Sequence, residues 1–206
     1  MKSDFLSFSN HQVSPEALNR PRDVSASVTE YDAVVYDLDG TLVELDVDWE
    51  VVTADVLEVY TDAGLEPSGA DLWELLEAAP DVGLADPVEE TIAAHEREGA
   101  RTSRRLPHAE ELLERAVPVA VCSLNCEEAC RLALEEHGIL EAVTVVVGRD
   151  TVTNSKPHPE PLLEAVAEVG VEPERTLFVG DSVTDERTAQ RAGTGFTYVG
   201  DGPSGH

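Results

Sequence analysis

The stretch VVYDLDGTLVE, residues 34–44, decides how this chain is read. It opens as an apolar run of the kind that forms a buried strand and closes on two aspartates, Asp37 and Asp39. Strand residues two apart share a face and lie roughly 7 Å apart along it. The two carboxylates repel each other unless the strand end is bathed in water or something positive is held between them.

Beyond Pro107 the pattern becomes regular. A helix at HAEELLERA (108–116) leads to a strand at 117–123, a helix at 125–137 stopped by Gly138, and a strand at 142–148. A helix at 159–169 stopped by Gly170, a strand at 175–181, a helix at 184–192 and a last strand GFTYVG (195–200) follow. Strands alternating with helices predict a Rossmann-like α/β fold, a parallel sheet with helices on both faces. Right-handed crossovers then place all strand C-terminal ends on one ligand-binding edge. About 60 residues of helical pattern separate the first strand from the second, too many for a plain crossover. Segments at about 47–63 (Trp49, Val52, Val56, Leu57 and Tyr60 at helical spacing), 69–79 and 87–98 read as a small α-helical cap inserted after the first strand. In the last of these, Asp86 is expected as the cap residue and Pro87 at the first helical position. The expected division is a loosely ordered arm over 1–30, a core over 31–44 and 107–206, and a cap over 45–106.

Composition narrows the function. The 206 residues, 42% hydrophobic, suffice for one sizeable core. No apolar run reaches 18 residues and the N-terminus lacks the build of a signal peptide, so a cytoplasmic protein is expected. A net charge of -28 argues against nucleic acid or an anionic membrane as partner. The acids are spread along the whole chain, a pattern expected of a halophilic protein whose self-repulsion is screened by salt. Lysine occurs only at Lys2 and Lys156, which singles out Lys156 for a chemical role. Cys122, Cys126 and Cys130 match no zinc-site spacing and read as buried thiols.

Polar groups stand at the ends of successive strands: Asp37 and Asp39, then Ser123 and Asn125, then Lys156 in SKPHPEP, then Asp181 and Asp185 in GDSVTD. On one sheet edge they would meet. Crowded carboxylates raise one another's pKa unless a cation neutralises them. One lysine is too little for four aspartates, whereas Mg²⁺ suits a few carboxylates with waters and a substrate phosphate. Lys156 adds a compact positive charge and Ser123 a hydroxyl donor, an assembly fitted to phosphoryl transfer.

DLDGT, Ser123, Lys156 followed by Pro157, and GDSVTD resemble, in order and spacing, the four motifs of the haloacid dehalogenase-like hydrolase superfamily. The likeness runs from residue 31 to about 200, and the helical cap is similar to that of its phosphoglycolate phosphatase-like branch. The resemblance implies Asp37 as nucleophile forming an aspartyl-phosphate, and Asp39 as the acid and then the base. It implies a Mg²⁺ site from Asp37, the Asp39 backbone carbonyl, Asp181 and Asp185. Ser123, Asn125 and Lys156 would bind the phosphoryl group with the loop at Gly40 and Thr41, Thr41 fixing that loop around Asp39 and Gly40 allowing its tight backbone. An aspartate at position 39 favours phosphate ester cleavage over dehalogenation. The implied activity is hydrolysis of a small phosphorylated metabolite, with a phosphomutase like β-phosphoglucomutase or a non-catalytic phosphate-binding module as alternatives. His95 and His108 read as surface or hinge residues and His158 as shaping its loop. Arg149 falls near the site edge, where contact with an anionic substrate stays open.

Overall fold

The computed structural model describes residues 31–67, 71–200 and 202–203; the arm expected over 1–30 lies outside them. Strand β1 (Ala33–Tyr36) is buried along its whole length and sits at the centre of a five-stranded sheet ordered β5-β4-β1-β6-β7. Its partners are β4 (Val119–Cys122), β5 (Val145–Val147), β6 (Thr176–Gly180) and β7 (Gly195–Tyr198), all parallel. The Rossmann-like expectation is met.

Apolar runs form this sheet because both faces are covered. Val34, Tyr36, Val119 and Val121 face one hydrophobic cluster with Ala129, Ala133 and Leu134 of α5 (Glu127–Glu136). Val35, Ala120 and Cys122 face the other with Leu162 and Ala165 of α6 (Glu160–Val169) and Ala189 of α7 (Val183–Ala192). The helices before α5 are α1 (Trp49–Asp62), α2 (Leu72–Ala78), α3 (Ala85–Arg101) and α4 (His108–Leu113). Gly170 stops α6 in the left-handed conformation, at φ 72°.

Helices α1, α2 and α3 close around Val52, Val56, Tyr60, Leu75, Val88 and Ile92, and the Tyr60 hydroxyl donates to the Leu75 carbonyl at 2.6 Å. α3 corrects one expectation. It begins at Ala85 after Leu84, which supplies no side-chain cap, so Asp86 and Pro87 both lie inside the first turn. Proline is tolerated there because first-turn N–H groups have no intrahelical partner. The segment enters and leaves through an antiparallel ribbon of β2 (Val43–Glu44) and β3 (Arg104–Arg105), tightened by Leu106 N–H donating to Leu42 O at 2.9 Å. Strands of two residues carry no readable period, and the ribbon was not expected. Among the described residues no helix is long and apolar enough to cross a membrane.

Candidate active site

The loop after β1 is folded back on itself. The N–H groups of Thr41, Leu42 and Val43 all reach Leu38 O, at 3.2, 2.8 and 3.1 Å. This places Asp37 at the strand end, buried, and turns Thr41 inward. Thr41, expected beside the phosphate, is instead fully buried, its Oγ1 has no hydrogen-bond partner among the described residues, and it does not line the cavity described below. Gly40 holds φ at 79°, and a Cβ there would stand 2.4 Å from Asp181 Oδ2. Only glycine allows both that backbone and that approach.

Asp181 and Asp185 arrive from the end of β6. Ser182 caps α7: its Oγ accepts from Asp185 N–H at 3.1 Å and donates to Asp185 Oδ2 at 2.6 Å. This capping box fixes the Asp185 carboxylate, whose Oδ1 accepts from Lys156 Nζ at 2.6 Å. Lys156 Nζ also donates to Asp37 Oδ1 at 2.8 Å. Asp37, Asp181 and Asp185 each offer an oxygen within 4.8 Å of the others, and all three side chains are buried. Among the described residues no other His, Cys, Asp and Glu group is arranged to hold a metal. The three cysteines are buried free thiols.

The electrostatics agree. Burial pushes the Asp37 carboxyl up to about 8, with Asp185 and Asp181 adding to the push and Lys156 opposing it. Burial disfavours the Lys156 ammonium, yet Asp185 and Asp37 outweigh it and raise its pKa. Burial accounts for most of the Asp37 rise and the two acids for the Lys156 rise, and three buried carboxylates here face a single ammonium. Hard oxygen donors this close are the donor set that suits a small divalent cation.

Asp39 stands apart from the three. Its Oδ1 accepts from Leu45 N–H at 2.8 Å, and burial pushes its carboxyl up to about 6 against that bond. Its side chain is not part of the oxygen cluster of Asp37, Asp181 and Asp185.

Ser123 and Asn125 form one unit. Ser123 Oγ donates to Asn125 Oδ1 at 3.0 Å, and Asn125 Nδ2 donates to Glu96 Oε1 at 3.2 Å. Asn125 thus holds Ser123 as well as lining the cavity. Glu96, on α3, is fully buried, takes Cys126 N–H at 2.9 Å on its other oxygen, and faces Arg149. Arg149 donates to Glu96 at 2.8 and 3.1 Å, to Glu89 at 2.6 and 3.1 Å, and to Leu124 O. It clasps α3 to the core and does not line the cavity. Glu96 was missed by the sequence reading. Its signal is an acid on an apolar stripe, Ile92, Glu96 and Ala100 at helical spacing.

Among the described residues no histidine lines the cavity. His95 pairs with Asp55 at 2.7 Å, His108 lies beside Glu111, and His158 Nδ1 accepts from Glu160 N–H. A cavity of about 750 Å³ opens between the strand ends and the α1–α3 segment, with Asp37, Asp39, Ser123, Asn125, Lys156 and Asp181 on its wall.

Residues 34–199 match the model of the haloacid dehalogenase-like hydrolase family. The chain is 31% identical to the phosphoglycolate phosphatase of Rhodospirillum rubrum over 78% of its own length and 76% of the relative's. It is 29% identical to the pyrophosphatase PpaX of Oceanobacillus iheyensis over 77% and 78% of the two chains. The crystal structure of a HAD-superfamily hydrolase of subfamily IA from Geobacter sulfurreducens superposes with a TM-score of 0.55 at 26% identity, covering 81% of this chain and 88% of that one. The match spans the sheet, the inserted helices and every strand end that carries a site residue; the chain belongs to the haloacid dehalogenase-like hydrolase family and is a phosphatase-type hydrolase.

Proposed function

We propose that this protein is a Mg²⁺-dependent phosphomonoesterase that hydrolyses a small phosphorylated metabolite through an aspartyl-phosphate. The observation that carries the reading is the buried trio Asp37, Asp181 and Asp185, with one ammonium shared by Asp37 and Asp185 and with Asp37 and Asp181 on the wall of a cavity. Asp37, Asp181, Asp185 and the Asp39 carbonyl would hold Mg²⁺, which when bound neutralises negative charge on the phosphoryl oxygens. An Asp37 oxygen attacks phosphorus as the ester P–O bond breaks, and the departing alkoxide takes the proton from Asp39. Asp39, now ionised, takes a proton from water as that water's oxygen attacks phosphorus. The bond to Asp37 breaks, releasing phosphate and restoring both aspartates. A carboxyl poised at about 6 suits both halves of the cycle. Ser123 and Lys156 fix the phosphoryl oxygens by hydrogen bond and charge.

The names of the relatives make phosphoglycolate the reference ester. The charge of -28 supports a salt-adapted enzyme with neither nucleic acid nor anionic membrane as partner. The test is hydrolysis of p-nitrophenyl phosphate with Mg²⁺ in molar KCl, expected to vanish with a chelator. Activity indifferent to chelator would sink the metal-dependent reading.

A further inference from the structure

The cavity has two unlike parts. One is the acidic cluster with Ser123 and Lys156; the other is an apolar wall of Leu45, Val47, Trp49, Trp73, Leu106 and Leu124. Trp49 opens α1 and Trp73 lies in α2, and their ring centroids are 6.0 Å apart with planes inclined at 46°. Trp73 keeps 41% of its surface exposed, more than a tryptophan in a closed core.

Cations are missing from that wall. Among the described residues Lys156 is the one lysine, arginine or histidine that lines the cavity, and its ammonium is already shared by Asp37 and Asp185. Asp39, Glu44 and Asp181 line it as well, and Glu44 is itself paired with Arg104. A substrate carrying a second anionic group would bring it among carboxylates with no cation to receive it, which is costly in a partly dry site. An uncharged ring would gain by covering the indoles. The volume of about 750 Å³ is also that of a site for a drug-sized molecule, far more than glycolate fills.

We propose, resting on the phosphatase reading, that the leaving group of the true substrate is uncharged and presents a flat apolar ring to Trp49 and Trp73. Phosphoglycolate, whose leaving group bears a carboxylate, is then a poor substrate of this chain.

The test compares phenethyl phosphate, ethyl phosphate and phosphoglycolate, all esters of primary alcohols, on the full chain with Mg²⁺ in molar KCl. The kcat/KM for phenethyl phosphate is expected to exceed the other two by about tenfold, the scale of one well-placed aromatic contact. Trp73→Ala, at a partly exposed position that tolerates truncation, lowers the ratio of phenethyl to ethyl phosphate by a similar factor, and Trp73→Phe keeps it. Phosphoglycolate turned over faster than phenethyl phosphate, or a ratio unmoved by Trp73→Ala, overturns the subsite and leaves the phosphatase reading standing. Failure to hydrolyse any of the three overturns both.

Discussion

The clasp at Arg149 and the cluster at Lys156 are both buried, and both set one cation against more than one carboxylate, yet they are built differently. The planar guanidinium gives each of Glu89 and Glu96 two N–H bonds, and Asn125 and Cys126 complete the Glu96 oxygens. Burial works against the Arg149 charge, but Glu89 and Glu96 hold its pKa above the ordinary value. The Lys156 ammonium gives Asp37 and Asp185 one bond each, and burial keeps the Asp37 carboxyl above its ordinary range. Supply of donors, not the presence of charge, separates a structural clasp from a reactive site.

Substitutions should break the two apart. Asp37→Asn is expected to lower kcat by at least about 1,000-fold, as removal of a nucleophile does, while the melting temperature of the metal-free protein holds or rises. Full activity in Asp37→Asn would refute the covalent route. Arg149→Met should do the reverse at the level of the fold. It leaves Glu96 buried without its cation and is expected to cost about 3–5 kcal/mol in urea unfolding at constant high salt. Loss below about 1 kcal/mol would mean the clasp carries little.

A smaller effect sharpens the contrast through pH. The Asp39 carboxyl sits at about 6 in the fold against a model-compound value of 3.8. Between those values the folded state binds more protons than the unfolded, so its contribution to stability falls as pH rises through that window and levels off above it. Asp39→Asn should flatten this slope, worth on the order of 1–3 kcal/mol, when unfolding is followed from pH 4 to 7. A slope identical in both proteins would place the titration elsewhere.

Much of the fold was legible because its cues are local. β1 is a continuous apolar run, and Gly170 marks the end of a helix whose apolar face repeats at helical spacing. The strand-end residues were legible for a different reason: polar groups recurring where apolar runs stop imply a shared edge. What escaped depends on pairing across distance. Glu96 meets Arg149 across 53 positions, and nothing around either residue announces the other. The β2–β3 ribbon is too short for a period, and Thr41 turns inward because three N–H groups converge on one carbonyl. Arg149 was left open because a cation near a strand end looks the same in sequence whether it greets a substrate or two glutamates.

The central claim is that the buried acid excess at Asp37, Asp181 and Asp185 exists to hold a divalent cation. Calorimetric titration of Mg²⁺ into the wild-type chain and into Asp181→Asn, both in molar KCl at pH 7.5, tests it most directly. The account predicts one ion bound by the wild type, with protons released on binding, and at least about a tenfold weaker site in the variant. Absence of binding to the wild type, or equal affinity in the two proteins, would contradict it.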